Sequence, residues 1–264
     1  MVPVHELAPL PTVEESSDVV ELQAEMISIL IPVLGRPHNA APLVENIHDT
    51  TDAEHEILFL CSRGDTPQIE ACFKTKARTV VMEYPAGSGD FGRKINAGFH
   101  ATANVQPPDG EWVFMCADDV RFEPKWDYHA LRAAKDTFHV IGTNDLANAQ
   151  VQRGLFGTHC LIRRRYITEQ GGTADFYPGD VLWEGYDHNF VDRELCHLAQ
   201  HRGVFTFARH SRVRHYHPLW RTAPQDATYH KALKNFRADQ ALFLSRAHLW
   251  GYVGLSDSER KLAA

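Results

Sequence analysis

Two adjacent carboxylates, Asp118 and Asp119, follow an apolar run in the middle of the chain. Residues 112–116 are five apolar residues in succession, which is typical of a strand buried on both faces of a parallel sheet. In open α/β sheets, ligands bind beyond the carboxyl ends of the strands. Two neighbouring acidic groups are costly unless a cation or hydrogen-bond donors compensate them. We therefore predict that the pair holds a divalent metal carrying a phosphorylated ligand; the alternative is an Asp-Asp turn that ends the strand.

A glycine-rich loop, residues 87–92, follows a predicted strand, precedes a predicted helix and matches the pattern G-x-G-x-x-G. It follows the third strand and not the first, which argues against a dinucleotide-binding unit. It is not a P-loop, because Lys94 is followed by Ile95 and not by the Ser or Thr that would meet magnesium. Lys94 and Asn96 on the opening turn of the helix favour an anionic or nucleotide ligand. The alternative is a solvated first turn.

Two histidines, His215 and His217, alternate along a predicted strand, so they project from the same face. In a chain with a carboxylate pair they suggest a further metal ligand. The chain contains 16 histidines, however, so exposed or supporting imidazoles are the alternative interpretation.

Acidic residues also collect where a loop meets a predicted helix, at Asp187, Asp192 and Glu194. A carboxylate at this junction could act as a general base, a role typically worth about 10²–10⁴-fold in rate. Alternatively, Asp192 and Glu194 only stabilise the first helical turn through the helix dipole.

The elements that must position these residues alternate along the first half of the chain. We predict strands at residues 26–33, 56–61, 78–83 and 112–116, with helices between them, which indicates an α/β fold with a mostly parallel sheet flanked by helices. We expect a loosely ordered lead-in over residues 1–24, a single domain over 25–250, and a tail over 251–264. The break near Thr143 divides that domain into a nucleotide-binding half, 25–142, and an acceptor half, 143–250.

Composition narrows the class of protein. The 264 residues are 44% hydrophobic and 23% charged, as in a globular protein, and the net charge of −7 argues weakly against a general nucleic-acid binder. The five cysteines are odd in number and form no C-x-x-C pair, which points to reduced thiols in a cytoplasmic protein. We expect no membrane span, because the sequence has no apolar stretch of about 18 residues. We expect no secretory signal, because residues 1–24 lack a basic region followed by an apolar core.

Five segments in order carry a family resemblance: Ile29-Leu30-Ile31-Pro32 with Arg36, residues 93–98, Asp118-Asp119, Asp192-x-Glu194-Leu195, and residues 211–215. Together they resemble the inverting, family-2-type glycosyltransferases of the GT-A fold, and most closely the short, phage-type members. The likeness extends from about residue 27 to residue 246. It implies a GT-A fold and transfer of a sugar from a nucleotide-sugar, expected to be a UDP-sugar, to a hydroxyl acceptor.

The resemblance also implies roles for individual residues. Asp118 and Asp119 would hold Mn²⁺ or Mg²⁺ on the donor diphosphate, with His215 as a late metal ligand and His217 as its rival. Asp192 would be the catalytic base. The residues that would line the nucleotide pocket are Pro32, Arg36, Asp65, Lys94 and Asn96, and those that would contact the donor sugar or the acceptor are Asn144, Asp145 and His159.

The sequence departs from the family pattern at two positions. Cys116 stands where the D-x-D motif has its first acid, and Val191 stands where a Glu usually precedes the base, which leaves Asp187 and Glu194 as rivals of Asp192. Two other classes of function therefore stay open. One is a metal-dependent nucleotidyltransferase or sugar-nucleotide hydrolase, and the other is a nucleotide-sugar-binding protein without catalysis.

The sequence does not identify the acceptor. Arginines at 163–165 and between 202 and 221 could face an anionic polymer or form a solvated surface. The resemblance allows a virion protein, a hydroxylated DNA base or a glycan as acceptor, and it predicts the host cytoplasm as the location if the protein is phage-encoded.

Overall fold

A run of apolar, mostly β-branched residues forms the central strand β1, Met26–Val33. Ile27, Ile29 and Ile31 pack on one side of the sheet and Leu30 on the other, as the two-residue period of a strand requires. The computed structural model describes residues 25–87, 89–102, 111–175 and 178–263. The predicted lead-in, residues 1–24, lies outside the described residues.

Seven other strands in the described residues join β1 in one sheet, with the order β3-β2-β1-β4-β7-β6-β8-β5. They are β2 (Glu54–Cys61), β3 (Arg78–Val81), β4 (Glu111–Met115), β5 (Val120–Phe122), β6 (Val140–Asn144), β7 (Cys160–Arg163) and β8 (Phe205–His215). The first four strands of the chain are parallel to their neighbours among themselves, and β6 is parallel to β8. β7 runs antiparallel between β4 and β6, and β5 pairs antiparallel with β8. The predicted α/β fold with a mostly parallel sheet is confirmed.

Helices cover the sheet and separate its strands. In the described residues they are α1 (Ala40–Thr50), α2 (Thr66–Lys74), α3 (Asp90–Ala101), α4 (Trp126–Ala134), α5 (Ala149–Gln152), α6 (Arg164–Gln170), α7 (Val191–His201), α8 (Ala227–Lys234), α9 (Phe236–Arg246) and α10 (Asp257–Ala263). Gly98 lets α3 approach the sheet closely, since a Cβ there would lie 2.8 Å from Leu60 and 3.2 Å from Leu30. Closer to the start of α3, Lys94 Nζ donates to the carbonyl oxygen of Val33 and so holds the N-terminal part of α3 beside the carboxyl end of β1.

The second half of the chain is less regular than the first. Residues 205–215 form the single strand β8, whose register against β6 shifts between Thr143 and Asn144. The helices α8 and α9 are separate and meet at Asn235. The predicted tail packs back onto the body, where Leu255 is buried and Glu259 forms an ion pair with Arg193.

The helices and the cysteines bear on the expectations of no membrane span and of reduced thiols. None of the helices in the described part of the chain is both long enough and apolar enough to cross a membrane. All five cysteines are buried as free thiols.

Candidate active site

An open cavity of about 650 Å³ lies where β1 and β4 end, beside the N-termini of α3 and α7. Ten of the fifteen side chains predicted to form the site line it: Pro32, Arg36, Lys94, Asp118, Asp119, His159, Asp187, Asp192, His215 and His217. The remaining five, Asp65, Asn96, Asn144, Asp145 and Glu194, do not belong to the described lining of this cavity.

A guanidinium group bridges the carboxylate pair at the centre of the cavity wall. Arg36 Nη1 donates to Asp118 Oδ1 at 2.9 Å and to Asp119 Oδ2 at 3.2 Å. Its Nε donates to Asp226 Oδ2 at 2.7 Å, and its Nη2 to Asp226 Oδ1 at 3.3 Å. The Tyr229 ring stacks 4.0 Å from the guanidinium carbon. Arg36, predicted near the nucleotide base and ribose, thus lies on the acidic pair itself.

The pair is electrostatically asymmetric. Burial, together with repulsion from Asp119, raises the pKa of Asp118 to about 7 despite the nearby Arg36. Burial also favours the neutral form of Asp119, but His215, Arg36 and Tyr229 outweigh it and hold the pKa of Asp119 below its ordinary value. Burial disfavours protonated His215, yet Asp119 and Asp145 raise the pKa of His215 above its ordinary value. The two side chains face each other, with His215 Nε2 3.4 Å from Asp119 Oδ1.

The donor atoms around the pair suit a hard divalent cation. Asp118 Oδ2 and Asp119 Oδ1 are buried and have no hydrogen-bond partner among the described residues. Carboxylate oxygen with imidazole nitrogen is a ligand set suited to Mn²⁺ and Mg²⁺. As the described residues stand, no group of three or more His, Cys, Asp or Glu side chains is arranged to hold a metal ion, and Arg36 bridges the two carboxylates instead. The residues thus fit a cation by chemistry, once Arg36 is displaced.

Strand pairing places His215 beside the acids. β5 and β8 align Val120 with His215, and the backbone N–H of Tyr216 donates to the carbonyl oxygen of Asp119 at 2.8 Å. His217 is differently engaged, because its Nδ1 accepts from the N–H of Leu219 at 3.2 Å and its ring packs edge-on against Tyr229. Cys116, at the position of the first D-x-D acid, is buried, and burial raises the pKa of its thiol well above the ordinary value. A protonated thiol is a poor metal ligand.

The predicted nucleotide-side residues divide into lining and supporting groups. Lys94 is buried in the cavity wall, where its Nζ lies 2.8 Å from both Asp90 and the carbonyl oxygen of Val33. Asp65 accepts from the N–H of Gly35 at 2.8 Å and so holds the loop after β1. Asn96 accepts from the N–H groups of residues 181 and 182 and donates to the carbonyl oxygen of residue 182. Asn96 thus fixes a distant loop.

The three acids near α7 have distinct surroundings. Both oxygens of Glu194 are occupied, by Tyr186 Oη at 2.6 Å and by Arg246 at 2.7 and 2.9 Å. Asp187 and Asp192 line the cavity. Burial raises the pKa of Asp192 to about 6, against the opposing effects of the N–H and charge of Arg193. Asp192 therefore has the protonation behaviour of a base working near neutral pH.

Three other predicted residues lie around the far end of β6. Asn144 accepts from the N–H of Leu146, and Asp145 accepts from the N–H groups of residues 147 and 148, so both shape the following loop. His159 is buried in the cavity wall with its ring 5.0 Å from that of His215, and neither of its ring nitrogens makes a hydrogen bond among the described residues. Burial and His215 lower the pKa of His159 to about 3, so it is neutral.

Sequence reasoning missed three supporting residues. Asp239 on α9 accepts from the N–H groups of residues 187, 188 and 189, and so fixes the loop that leads to Asp192. Nothing local in the sequence marks that role, because the contacts span about 50 residues. Asp226 caps α8 by accepting from the N–H of Tyr229, and a cap is a signal that the sequence does carry. Tyr229 Oη lies 2.7 Å from Asp119 Oδ2.

Comparison with known proteins identifies the fold. No family model matches the chain, and no curated protein sequence matches it. Solved structures do match. A mannosyltransferase from Pyrobaculum calidifontis, in complex with GDP-Man and Mn²⁺, is 11% identical with a TM-score of 0.61, and the match covers 91% of this chain and 73% of that one. The glucosyl-3-phosphoglycerate synthase of Mycobacterium tuberculosis, in complex with Mn²⁺, UDP and phosphoglyceric acid, is 16% identical with a TM-score of 0.57, covering 91% and 84%.

The chain therefore has the GT-A fold, and that prediction is confirmed. The matching structures are those of nucleotide-sugar-dependent glycosyltransferases. The predicted nearness to phage-type members and the inverting stereochemistry stay predictions.

Proposed function

We propose that this protein is a metal-dependent glycosyltransferase, which transfers a sugar from a nucleotide-sugar to a hydroxyl group. One observation carries the proposal: on a GT-A fold, a single cavity is lined by an acidic pair with unpartnered oxygens and by a separate carboxylate, Asp192, with a raised pKa. Proteins that share a fold can have different functions, so the assignment of function rests on the residues of the site.

The donor is expected to bind with its diphosphate against Asp118, Asp119 and the N-terminus of α3. Asp118, Asp119 and His215 would hold the divalent cation, which supplies Lewis-acid stabilisation of the nucleoside diphosphate leaving group. Lys94 and the dipole of α3 add positive potential on the same side of the cavity. In the matching structures the donors are GDP-Man and a UDP-sugar, and for this chain we propose a UDP-sugar first.

Asp192 is proposed as the base of an inverting transfer. The acceptor oxygen forms a bond to the anomeric carbon, the bond from that carbon to the phosphate oxygen breaks with its electron pair, and the hydroxyl proton passes to Asp192. Asp187 also lines the cavity and is the rival of Asp192 for this role. We do not propose Glu194 for this role, because both of its oxygens are engaged by Tyr186 and Arg246.

The surroundings of the cavity favour an uncharged acceptor. Three of the four Lys and Arg side chains in its described lining, Arg36, Lys94 and Arg193, are each paired with a carboxylate, and the fourth, Lys231, is exposed. The apolar side chains of Leu219, Trp220 and Phe236 also line the cavity and are exposed. Aromatic and aliphatic side chains of this kind pack against sugar rings or protein side chains and offer no counter-charge to phosphates. Among the three acceptor classes we therefore propose a protein or glycan hydroxyl over DNA.

The test is nucleotide release from a panel of UDP-, GDP-, dTDP- and CMP-sugars, with Mn²⁺ and with EDTA. Slow release from one donor, abolished by EDTA, is the expected result, and it names the sugar for acceptor searches. Release that no acceptor accelerates would indicate a sugar-nucleotide hydrolase. Binding of a donor without release, whatever the acceptor, would contradict the transferase and indicate a binding protein.

A further inference from the structure

Arg36 is the cation that neutralises the acidic pair in this structure. Its guanidinium contacts three carboxylates, with Nη1 on Asp118 and Asp119 and the opposite edge on Asp226. Arg36 is only 7% exposed, and its aromatic neighbour, Tyr229, stacks on its face. One edge of the guanidinium, Nε and Nη2, is thus bound by the carboxylate of Asp226, and Nη1 bridges Asp118 and Asp119.

A divalent cation and Arg36 compete for the same oxygens. Nη1 takes one oxygen of each acid, while Asp118 Oδ2 and Asp119 Oδ1 make no hydrogen bond among the described residues, and Asp119 Oδ1 faces His215 Nε2 at 3.4 Å. A cation bound to both acids would lie a few ångströms from a fixed positive charge in a poorly solvated site. Two like charges this close repel strongly where the effective dielectric constant is well below that of water. Arg36 in its present position therefore opposes metal binding.

The same guanidinium has another partner within the cavity. Arg36 lines the cavity together with Lys94 and the start of α3, where a donor diphosphate is expected. Guanidinium groups bind phosphate oxygens in a bidentate manner. For Nη1 to leave the acids for a phosphate, the rigid guanidinium must turn away from Asp226 as well, and Asp226 is the most exposed of its three carboxylate partners.

We propose that Arg36 is an exchangeable counter-ion, which neutralises Asp118 and Asp119 in the empty site and binds the donor diphosphate when a divalent cation takes the two acids. This inference rests on the proposed function. It makes cation and nucleotide binding cooperative, because each ligand removes a cost that the other would meet alone. Coupling of this kind is reciprocal.

Two binding measurements on Arg36→Gln test the exchange. Free Mn²⁺ is followed by electron paramagnetic resonance without nucleotide, and UDP and GDP are titrated by calorimetry at saturating Mn²⁺. Mn²⁺ should bind the variant at least about tenfold more tightly than the wild type, because a competing positive charge is gone. The nucleoside diphosphate should bind about tenfold more weakly or worse, because a charged hydrogen-bond donor to phosphate is lost. The matched control, Arg36→Lys, keeps the charge, so its Mn²⁺ affinity should stay close to that of the wild type.

Tighter Mn²⁺ binding together with weaker nucleotide binding in Arg36→Gln would distinguish an exchangeable counter-ion from a residue that only supports the structure of the site. A merely structural Arg36 would weaken both ligands in Arg36→Gln, and that result would overturn the proposal, as would an unchanged Mn²⁺ affinity. If the Gln variant does not unfold cooperatively, Arg36→Met replaces it under the same criteria. Asp119→Asn is the reference for loss of the site. If the wild type and all Arg36 variants bind no more Mn²⁺ than Asp119→Asn does, the metal assignment in the proposed function fails as well.

Discussion

Glu194 and Arg246 form a buried ion pair, with Arg246 Nη2 2.7 Å from Glu194 Oε1. The second oxygen of Glu194 accepts from Tyr186 Oη and Arg246 Nε, so α7 is joined to the end of α9. This pair supports the helix that carries Asp192, and it removes Glu194 from the candidates for the catalytic base.

Glu194→Gln should therefore reduce stability far more than it affects chemistry. Removing one partner of a buried ion pair typically costs about 3–5 kcal/mol, because the other charge stays buried. Chemical denaturation measures the free energy of unfolding. The control is Glu169→Gln, whose exposed partner Arg165 lies 3.9 Å away and whose loss should cost no more than about 1 kcal/mol. A stable, well-folded Glu194→Gln protein without turnover would contradict this assignment and return Glu194 to the candidates.

Asp192→Asn should lose about 10²–10⁴-fold in kcat while keeping nucleotide affinity, because the amide cannot accept the acceptor proton. Steady-state transfer and calorimetric titration of nucleoside diphosphate measure the two effects separately. Asp187→Asn is the matched control in the same cavity wall. A large loss of kcat in Asp187→Asn, with Asp192→Asn close to the wild type, would exchange the two roles.

The pH dependence of kcat/KM should show the titration of Asp192. Because burial raises the pKa of Asp192 to about 6, its carboxyl is protonated below that pH and cannot accept a proton. At saturating Mn²⁺, kcat/KM should rise with pH to a plateau with a midpoint at about pH 6. Below that pH, the logarithm of kcat/KM should increase with pH with a slope of one. Residual turnover of Asp192→Asn should lack this increase. An unchanged increase in the variant would assign the titration to another group.

His215 and His217 should differ in their effect on the metal. His215 lies 3.4 Å from Asp119, whereas His217 uses its Nδ1 to accept from the N–H of Leu219. His215→Ala should weaken Mn²⁺ binding at least about tenfold, and His217→Ala should leave it within about threefold of the wild type, by analogy with the effects measured around metal sites. Electron paramagnetic resonance of free Mn²⁺ measures both. The reverse order of the two effects would make His217 the ligand.

Local patterns predicted the parts of the fold that local chemistry determines. The apolar residues of β1 and β4 mark strands buried on both faces, and the acids at 118 and 119 mark the point where β4 gives way to the site. Residue types and chain order were enough to predict ten of the side chains that line one cavity.

Long-range contacts account for what the sequence did not reveal. Arg36 contacts Asp118 across 82 residues, and Asn96 fixes a loop 86 residues away. Asp239 likewise holds the residues before α7 through backbone N–H groups, which have no sequence signature. These partners depend on how the halves of the sheet close around the cavity, so spacing along the chain does not predict them.

The most direct measurement of the central claim is Mn²⁺-dependent nucleotide release by the wild type, Asp119→Asn and Glu123→Gln. Glu123 is the matched control because it pairs with Arg212 and Arg214 outside the described lining of the cavity. We predict release by the wild type and Glu123→Gln, and none above background by Asp119→Asn or with EDTA. Release by Asp119→Asn at close to the wild-type rate would contradict the metal site and the mechanism built on it.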